Sequence, residues 1–326
     1  MKRRNNRLVS NSTPLVEETP KQMTFDEAVK SFMLHCRAKN FTTPSLDAYK
    51  YGLLSFQKAF QKQELSLDLP SITAKQIKEK FIGYLLDNGM ASHTVNGRIR
   101  TCKVFFRYLH SEKIITDNIA DQFSLIIAEK KMIQTLTKEQ VVHLLNQPDC
   151  DSFSGLRDYT IMLLLLETGM RISECMNLEM DDVRLKDQEI HIKLGKGRKF
   201  RRVPIQKTCI RALKKYLEER GDADTNALFI NVDNGPLHKR TTQENIQTYG
   251  KMAQISGVRV SPHTFRHTMA KFYILNGGDI FTLQQILGHS TLDMVRYYLE
   301  FFGTDIKEQH KKFSPVENMV KNRNMK

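Results

Sequence analysis

The sequence lacks an apolar stretch long enough to cross a membrane. Its longest uninterrupted apolar run lies between Ile161 and Leu166, far short of the roughly 18 residues that a spanning helix requires. The basic start, MKRRNNR, is not followed by the apolar segment of a secretory signal peptide. We therefore expect neither a membrane protein nor a secreted one.

Cysteine is sparse and shows no pattern. The chain has five cysteines: Cys36, Cys102, Cys150, Cys175 and Cys209. They form no CxxC pair, which argues against a disulfide framework and against a zinc site. We predict a protein of the reducing cytoplasm.

Acidic residues are too few to balance the basic ones. The chain has 50 lysines and arginines against 36 aspartates and glutamates, which gives a formal net charge of +14 and a pI of about 9.5. This charge favours a polyanionic partner, nucleic acid first and an anionic membrane surface second. A generic basic cytosolic protein is the alternative that composition leaves open.

Helix signals dominate the first third of the sequence. Residues 1–22 are polar and are predicted to be a flexible leader. Thr24 with Glu27 predicts a capping box at the start of the first helix, and Thr73 is the predicted cap of a third. Four amphipathic patterns follow one another, so residues 23–116 are predicted to form a compact, all-helical domain.

The rest of the sequence predicts a larger domain with a small sheet. Residues 117–134 are the predicted linker and residues 135–326 the second domain, which begins with a helix capped by Thr137. Ile190 and Ile192 alternate with polar residues and the basic turn GKGRK follows, a pattern typical of a β-hairpin. The predicted fold class is mainly α with a small antiparallel β-sheet, in two domains.

Two motifs of the second domain present a cation at a turn. In TGMRISE, Arg171 stands at the start of a helix, where an anionic oxygen is well placed. The alternative is a surface arginine paired with Glu174. In LGKGRK, Lys196 lies between two glycines that allow close approach to a ligand, where its ammonium group could donate a proton. The alternative is a solvated basic loop.

The motif SPHTFRHT carries two histidines and an arginine on one helix. Ser261 and Pro262 predict the helix start. His263 and Arg266 then share a face and could hold one phosphate between them. His267 gives an HxxxH spacing, but the glutamate of the HExxH zinc motif is missing. We predict no metal site and interpret His267 as a structural, hydrogen-bonding histidine.

The fourth motif, LGHSTLDMVRYYLE, ends in two adjacent tyrosines. His289 follows its glycine and Tyr298 comes nine residues later. Tyr297 points about 100° away from Tyr298 on a helix, so the two have different roles. Together the motifs supply two arginines, a lysine, histidines and a tyrosine. That set suits phosphoryl transfer without metal, in which tyrosine attacks and arginine neutralises the developing charge.

In this order the four motifs resemble those of the tyrosine recombinase (phage integrase) family, which includes Xer-type and mobile-element integrases. The resemblance covers the whole second domain, and the helical first domain is similar to the family's core-binding domain, which binds DNA. It implies an active site of six residues: Arg171, Lys196, His263, Arg266, His289 and Tyr298. It also selects Tyr298 as the nucleophile and leaves Tyr297 as a packing residue.

The resemblance implies site-specific cutting and rejoining of DNA. Tyr298 would attack a phosphodiester, form a 3′-phosphotyrosine and release a 5′ hydroxyl, while the two arginines clamp the phosphate. Lys196 would be the general acid, His263 would accept the tyrosine proton and His289 would hydrogen-bond the phosphate. Because the ester conserves the bond energy, no ATP, metal or other cofactor is expected.

Nearby side chains leave two assignments open. Lys193 and Lys199 lie close to Lys196 in the hairpin, and a shift of register would change which lysine reaches the phosphate. Glu174 and Asp182 occupy positions that are usually acidic in the family, with either a structural or a direct role.

The resemblance also implies partners. These are double-stranded DNA with specific recombination sites and three further copies of the chain, forming a tetramer on two duplexes; an accessory factor or second recombinase is left open. The tail, residues 301–326, carries apolar residues that are expected to dock on a neighbouring protomer, with docking on its own protomer left open. The predicted use is integration or transposition of a mobile element. Chromosome-dimer resolution, a type IB topoisomerase and a non-catalytic DNA-binding protein are the alternatives.

Overall fold

The chain divides into two compact units, Met1–Lys130 and Lys131–Lys326. The computed structural model describes residues 23–128, 133–193, 200–288, 298, 310–311 and 314–316. The predicted leader, the basic tip of the hairpin and most of the C-terminal tail lie outside these ranges. The described residues are mainly helical with one small antiparallel sheet, which confirms the predicted fold class. The finer domain limits stay predictions.

Capping boxes mark the start of two of the helices in the first unit. The helices of this unit are α1 (Phe25–Ala38), α2 (Thr43–Gln61), α3 (Ala74–Gln76), α4 (Tyr84–Asp87) and α5 (Ser92–Ser111). The backbone of Glu27 donates to the Thr24 hydroxyl, and the backbone of Thr24 donates to the Glu27 carboxylate at 2.9 Å. Thr73 forms the same arrangement with Gln76. Both predicted caps are therefore confirmed.

A π-helical segment, Ile77–Gly83, separates α3 from α4. The sequence predicts one continuous helix here, and the wider turns of the π segment are a departure from it. Ile77, Phe81, Ile82 and Leu85 are buried. Over two turns an apolar repeat of about four residues is hard to distinguish from the α-helical repeat, so periodicity identifies the helix but not its pitch.

Phenylalanine rings form the centre of the first unit. Phe56 stacks on Phe60 with ring centroids 4.3 Å apart, and Phe81 meets Phe56 edge to face at 5.0 Å. Phe105 and Phe106 are fully buried, as the apolar face of their helix predicts. Offset and edge-to-face contacts are the favoured arrangements of aromatic rings. These contacts therefore favour one arrangement of the rings in the core over others.

The second unit combines a three-stranded sheet with helices. Its elements are α6 (Lys138–Leu145), α7 (Phe153–Thr168), α8 (Ile172–Met176), β1 (Val183–Arg184), β2 (Glu189–Lys193), β3 (Phe200–Pro204), α9 (Lys207–Arg220), α10 (Lys239–Met252), α11 (Pro262–Leu275) and α12 (Ile280–Leu287). Thr137 caps α6 and Ser261 caps α11, each by accepting a backbone hydrogen bond. Both predicted caps are confirmed.

The sheet has the strand order β1-β2-β3, and both pairs are antiparallel. Ile190 pairs with Val203 and Ile192 pairs with Arg201, which confirms the predicted hairpin. The two-residue strand β1 is an addition, because so short a strand shows no period in the sequence. Alternation along β3 turns Arg201 and Val203 to the same buried face.

The apolar run at residues 161–166 belongs to α7, a core helix that packs against α9, α10 and α11. The helix ends at Gly169, whose φ of 59° is in the left-handed region that favours glycine. A Cβ atom at Gly169 would lie 2.6 Å from Leu287 Cδ2. The glycine therefore lets the end of α7 approach the end of α12. This close approach lies two residues before Arg171 in the sequence.

Candidate active site

Three arginines from separate elements form a single cluster with one glutamate, here called the arginine cluster: Arg171, Glu174, Arg201 and Arg266. Arg171 is the residue before α8, Arg201 lies on β3 and Arg266 lies on α11. Glu174 contacts two of the arginines, and backbone carbonyls near the ends of α7 and α12 accept hydrogen bonds from the third. The turns between elements thus bring together residues that are distant in sequence.

Arg266 is held by two carbonyl groups. Its Nη1 donates to the Gly169 carbonyl at 2.6 Å and its Nη2 to the Leu287 carbonyl at 2.9 Å. Burial, with a smaller contribution from nearby Arg171, lowers the pKa of Arg266 to about 10. The guanidinium group is therefore still charged at neutral pH, and its orientation is fixed by backbone atoms.

Arg171 forms the ion pair that the surface alternative predicted. Its Nη1 lies 2.9 Å from Glu174 Oε1, and its backbone donates to Glu174 Oε2 at 2.8 Å. The side chain is still 43% exposed, so the guanidinium group can meet a ligand from solvent. The pairing orients Arg171 and does not bury it.

Arg201 is the cluster residue that the sequence motifs did not single out. Its Nη1 and Nη2 donate to the two Glu174 oxygens at 3.0 and 2.8 Å, and its Nε donates to the Ile286 carbonyl at 2.8 Å. A usable signal exists in the sequence. Arg201 stands two residues before Val203 on the strand, so alternation predicts that it faces the core, where an arginine needs a fixed partner.

Glu174 orders the cluster but does not neutralise it. Burial alone would raise the pKa of Glu174, yet hydrogen bonds from Arg201 and from the Arg171 backbone bring that pKa below its ordinary value. The carboxylate is therefore ionised at neutral pH. Three guanidinium groups against one carboxylate give these four side chains a formal charge of +2, which suits an anionic ligand.

His263 and Arg266 differ in exposure although they lie on one helix. His263 is exposed in the first turn of α11, whereas Arg266 is buried one turn further on. A ligand that contacted both side chains would approach from the side of His263, because the two backbone carbonyls already occupy part of the Arg266 guanidinium group.

His267 contacts Tyr298 directly. The imidazole Nδ1 lies 2.7 Å from the Tyr298 hydroxyl oxygen, and the rings meet edge to face at 5.6 Å. Burial lowers the pKa of His267 to about 4, with smaller effects from His263 and Arg266. Burial raises the pKa of Tyr298, and the positive charge of Arg266 partly opposes this. The interpretation of His267 as a hydrogen-bonding residue is confirmed, and its partner is the tyrosine of the fourth motif.

Lys193 is held by acidic side chains. Its Nζ donates to Glu179 Oε2 at 2.5 Å and lies 3.4 Å from Asp182 Oδ2. The hydrogen bond to Glu179 raises the pKa of Lys193, so this lysine releases a proton less readily than an unpaired one would. Four of the residues that the motif analysis discussed lie outside the described ranges: Lys196, Lys199, His289 and Tyr297.

Two family models match the chain. The phage integrase family matches residues 134–302, just over half of the sequence, and the phage integrase N-terminal SAM-like domain matches residues 29–113. The chain belongs to the phage integrase family of tyrosine recombinases. Members of this family cut and rejoin DNA and require neither metal nor ATP, so this tyrosine recombinase is a DNA strand transferase.

Relatives with similar sequences are also recombinases. Tyrosine recombinase XerD of Staphylococcus haemolyticus is 31% identical over 282 residues, which cover 85% of this chain and 94% of that protein. Tyrosine recombinase XerC of Chlamydia pneumoniae is 31% identical over 264 residues, which cover 79% of this chain and 84% of that protein.

Solved structures of recombinases share the fold. The Tn1549 transposon integrase in complex with a circular intermediate DNA matches with a TM-score of 0.72 and 19% identity, over 90% of this chain and 99% of that one. A lambda integrase tetramer bound to a Holliday junction matches with a TM-score of 0.70 and 17% identity, over 87% of this chain and 80% of that one. In the part of this recombinase that the structure describes, no helix has the length and apolar character needed to span a bilayer.

Proposed function

We propose that this tyrosine recombinase is site-specific and that Tyr298 is its nucleophile. The observation that carries the assignment is the contact between the Tyr298 hydroxyl and His267, at 2.7 Å, because His267 is the immediate neighbour of Arg266 on α11. The proposed nucleophile therefore lies next to the arginine cluster, where a phosphate would be bound.

Arg171 and Arg266 are the proposed clamps of the scissile phosphate. Arg266 is buried, charged and fixed by the backbone, and Arg171 is partly exposed. Glu174 and Arg201 are the proposed supports of Arg171. Glu174 accepts a hydrogen bond from Arg171, Arg201 donates to Glu174, and both supporting side chains are largely buried. Fixed guanidinium groups stabilise the charge that builds on the phosphate oxygens during attack, without any cost of reorientation.

The proposed proton transfers use residues that flank this cluster. As the Tyr298 oxygen bonds to phosphorus, its proton passes to His263 and the bond from phosphorus to the 5′ oxygen breaks. The departing 5′ oxygen takes a proton from Lys196, and His289 hydrogen-bonds a phosphate oxygen. The product is a 3′-phosphotyrosine with a free 5′ hydroxyl. Attack by the 5′ hydroxyl of a partner strand reverses these transfers and joins the exchanged strands.

Trapping of the covalent intermediate tests the nucleophile. Nicked suicide duplexes made from DNA flanking the coding region should give a protein–DNA adduct with the wild-type chain and with Tyr297→Phe. Tyr298→Phe should give none, because it lacks the attacking oxygen. An adduct that survives Tyr298→Phe and disappears in Tyr297→Phe would contradict the assignment. No adduct with any of these duplexes would favour a DNA-binding protein without catalytic activity.

Integration or transposition of a mobile element is the proposed use of this chemistry, and the Tn1549 transposon integrase is a precedent for that use in a protein of the same fold. Chromosome-dimer resolution is the second candidate, favoured by the XerD and XerC names of relatives with 31% identity. The flanking DNA discriminates between them: inverted repeats and cargo genes belong to an element. Relaxation of supercoiled plasmid without exchange between two sites would instead favour a topoisomerase.

The proposed partners are double-stranded DNA with specific sites and three further copies of the chain. The net charge of +14 favours the DNA, and the lambda integrase tetramer on a Holliday junction is a precedent for the assembly in a protein of the same fold. We propose that this assembly works in the cytoplasm, where the chromosome is accessible. Crosslinking on a synthetic junction should give tetramers that are absent without DNA.

A further inference from the structure

The hydroxyl group of Tyr298 is withdrawn from solvent. Tyr298 is 0% exposed and belongs to an apolar cluster with Met269, Ile274, Leu283 and Leu287. A phosphate group cannot contact an oxygen atom that has no accessible surface. If Tyr298 is the nucleophile proposed above, its side chain must therefore leave this position, or its surroundings must open, before DNA is cut.

The contact with His267 is suited to hold a phenol in its neutral form. Burial keeps the pKa of His267 near 4 and raises the pKa of Tyr298, so both groups are uncharged at neutral pH. A neutral imidazole has one ring nitrogen that accepts a hydrogen bond. We assign Nδ1 as the acceptor and the Tyr298 hydroxyl as the donor, at 2.7 Å.

We propose that His267 is a positioning residue that holds Tyr298 in a withdrawn resting position through this hydrogen bond, so that the bond must break before Tyr298 reaches the phosphate. No covalent bond changes in this step. The proton stays on the tyrosine oxygen when the contact breaks, and it is transferred only later, during attack on phosphorus. The inference rests on the proposed role of Tyr298 as nucleophile.

A different role for His267 would have the opposite effect. If His267 accepted the proton of Tyr298 during attack, removal of the acceptor would slow cleavage. If His267 holds the tyrosine back, removal of the acceptor favours release and speeds cleavage. A lost hydrogen bond of ordinary strength corresponds to a change of about threefold to tenfold.

Two amide substitutions separate these roles. In His267→Asn the amide oxygen lies about where Nδ1 lies, so the acceptor is kept. In His267→Gln the amide lies about where Nε2 lies, so the acceptor at Nδ1 is lost while the residue stays polar. His143→Gln is the matched control, because His143 is an exposed histidine on α6, whereas Tyr298 is fully buried.

Two measurements apply to the full-length chain. The first is the single-turnover rate of adduct formation on the suicide duplex at saturating protein. The second is nitration of Tyr298 by tetranitromethane in the absence of DNA, located by mass spectrometry. We expect His267→Gln to raise both rates about threefold to tenfold, and His267→Asn and His143→Gln to stay within about twofold of wild type.

The outcomes distinguish the two proposals. Cleavage by His267→Gln that is slower than wild type, or unchanged together with unchanged nitration, would overturn the positioning role. Rapid nitration of Tyr298 in the wild-type chain would also overturn it, and this result does not depend on the folding of any variant. If Tyr298→Phe still forms the adduct, the assignment of the nucleophile fails instead.

Discussion

At the scale of single residues, burial decides which groups of the site are charged. Burial leaves Arg266 with a pKa of about 10 and His267 with a pKa of about 4. At neutral pH the arginine is therefore a cation that can bind phosphate, whereas the histidine one position later is neutral and can accept a hydrogen bond. Neighbours on one helix thus have different chemistry because their surroundings differ.

The depressed pKa of His267 predicts how stability depends on pH. Between about pH 6.5, the ordinary value, and about pH 4, the unfolded chain binds a proton that the folded chain does not. Stability should therefore fall as the pH is lowered through this window. His267→Asn should reduce the loss between pH 7 and pH 5 by about 1 kcal/mol, after allowance for solvent screening.

Urea unfolding at the two pH values measures this loss. His143→Asn, at an exposed position on α6, is the control and should lose as much stability as wild type. An equal loss in His267→Asn and wild type would show that His267 does not contribute to the pH dependence.

The sequence predicts the residue types of the site better than their contacts. Motif order selects Arg171 and Arg266, but the carbonyl partners of Arg266 belong to Gly169 and Leu287, which no local pattern connects to it. Strand alternation predicts that Arg201 faces the core, but it predicts neither the partner of Arg201 nor the partner of His267. Contacts between residues far apart in sequence depend on the packed fold, and a motif carries no information about them.

At the scale of elements, substitution of two helical glycines of the first unit by alanine is predicted to have opposite effects on stability. A Cβ atom at Gly52 in α2 would lie 2.6–2.7 Å from side-chain atoms of the buried Thr101 in α5, whereas a Cβ atom at Gly97 in α5 would meet nothing within 4 Å. Gly52→Ala should therefore destabilise the unit by about 1–3 kcal/mol through overpacking. Gly97→Ala should stabilise it by about 0.5–1 kcal/mol through higher helix propensity.

Thermal and urea unfolding followed by circular dichroism measure both effects. The two variants add the same methyl group to a helix, so each is the control for the other. No loss of stability in Gly52→Ala would show that α2 and α5 do not pack as closely as the structure has them, and a loss in Gly97→Ala would show that the space beside Gly97 is not open.

Elements with local signals are the ones that the sequence predicts well. The caps at Thr24, Thr73, Thr137 and Ser261 involve residues three apart, so the pattern contains the whole interaction. The π segment Ile77–Gly83 and the short strand β1 depend on packing and on pairing with a neighbour. These two features are accordingly absent from the sequence-based prediction.

At the scale of the whole molecule, the sequence predicts fold class and family because the motifs keep their order along the chain. The same sequence does not specify the target DNA, since base recognition depends on which side chains meet which base edges. Net charge, in contrast, is a property of composition, and it leads to a prediction about affinity that needs no knowledge of the target.

Binding of the whole chain to duplex DNA of unrelated sequence should weaken steeply with salt. A formal charge of +14 implies several lysine and arginine contacts to phosphates, and each neutralised phosphate adds about 0.9 to the slope of log affinity against log salt. Fluorescence anisotropy between about 50 and 200 mM salt measures this slope, and a drop in affinity of about tenfold or more is expected over that range.

Arg171→Gln should lower the slope by about one, because Arg171 is a proposed phosphate ligand. Arg240→Gln should leave it unchanged, because Arg240 is an exposed residue of α10 that lies outside the arginine cluster. Equal slopes for Arg171→Gln and wild type would mean that Arg171 does not contact phosphate in this complex.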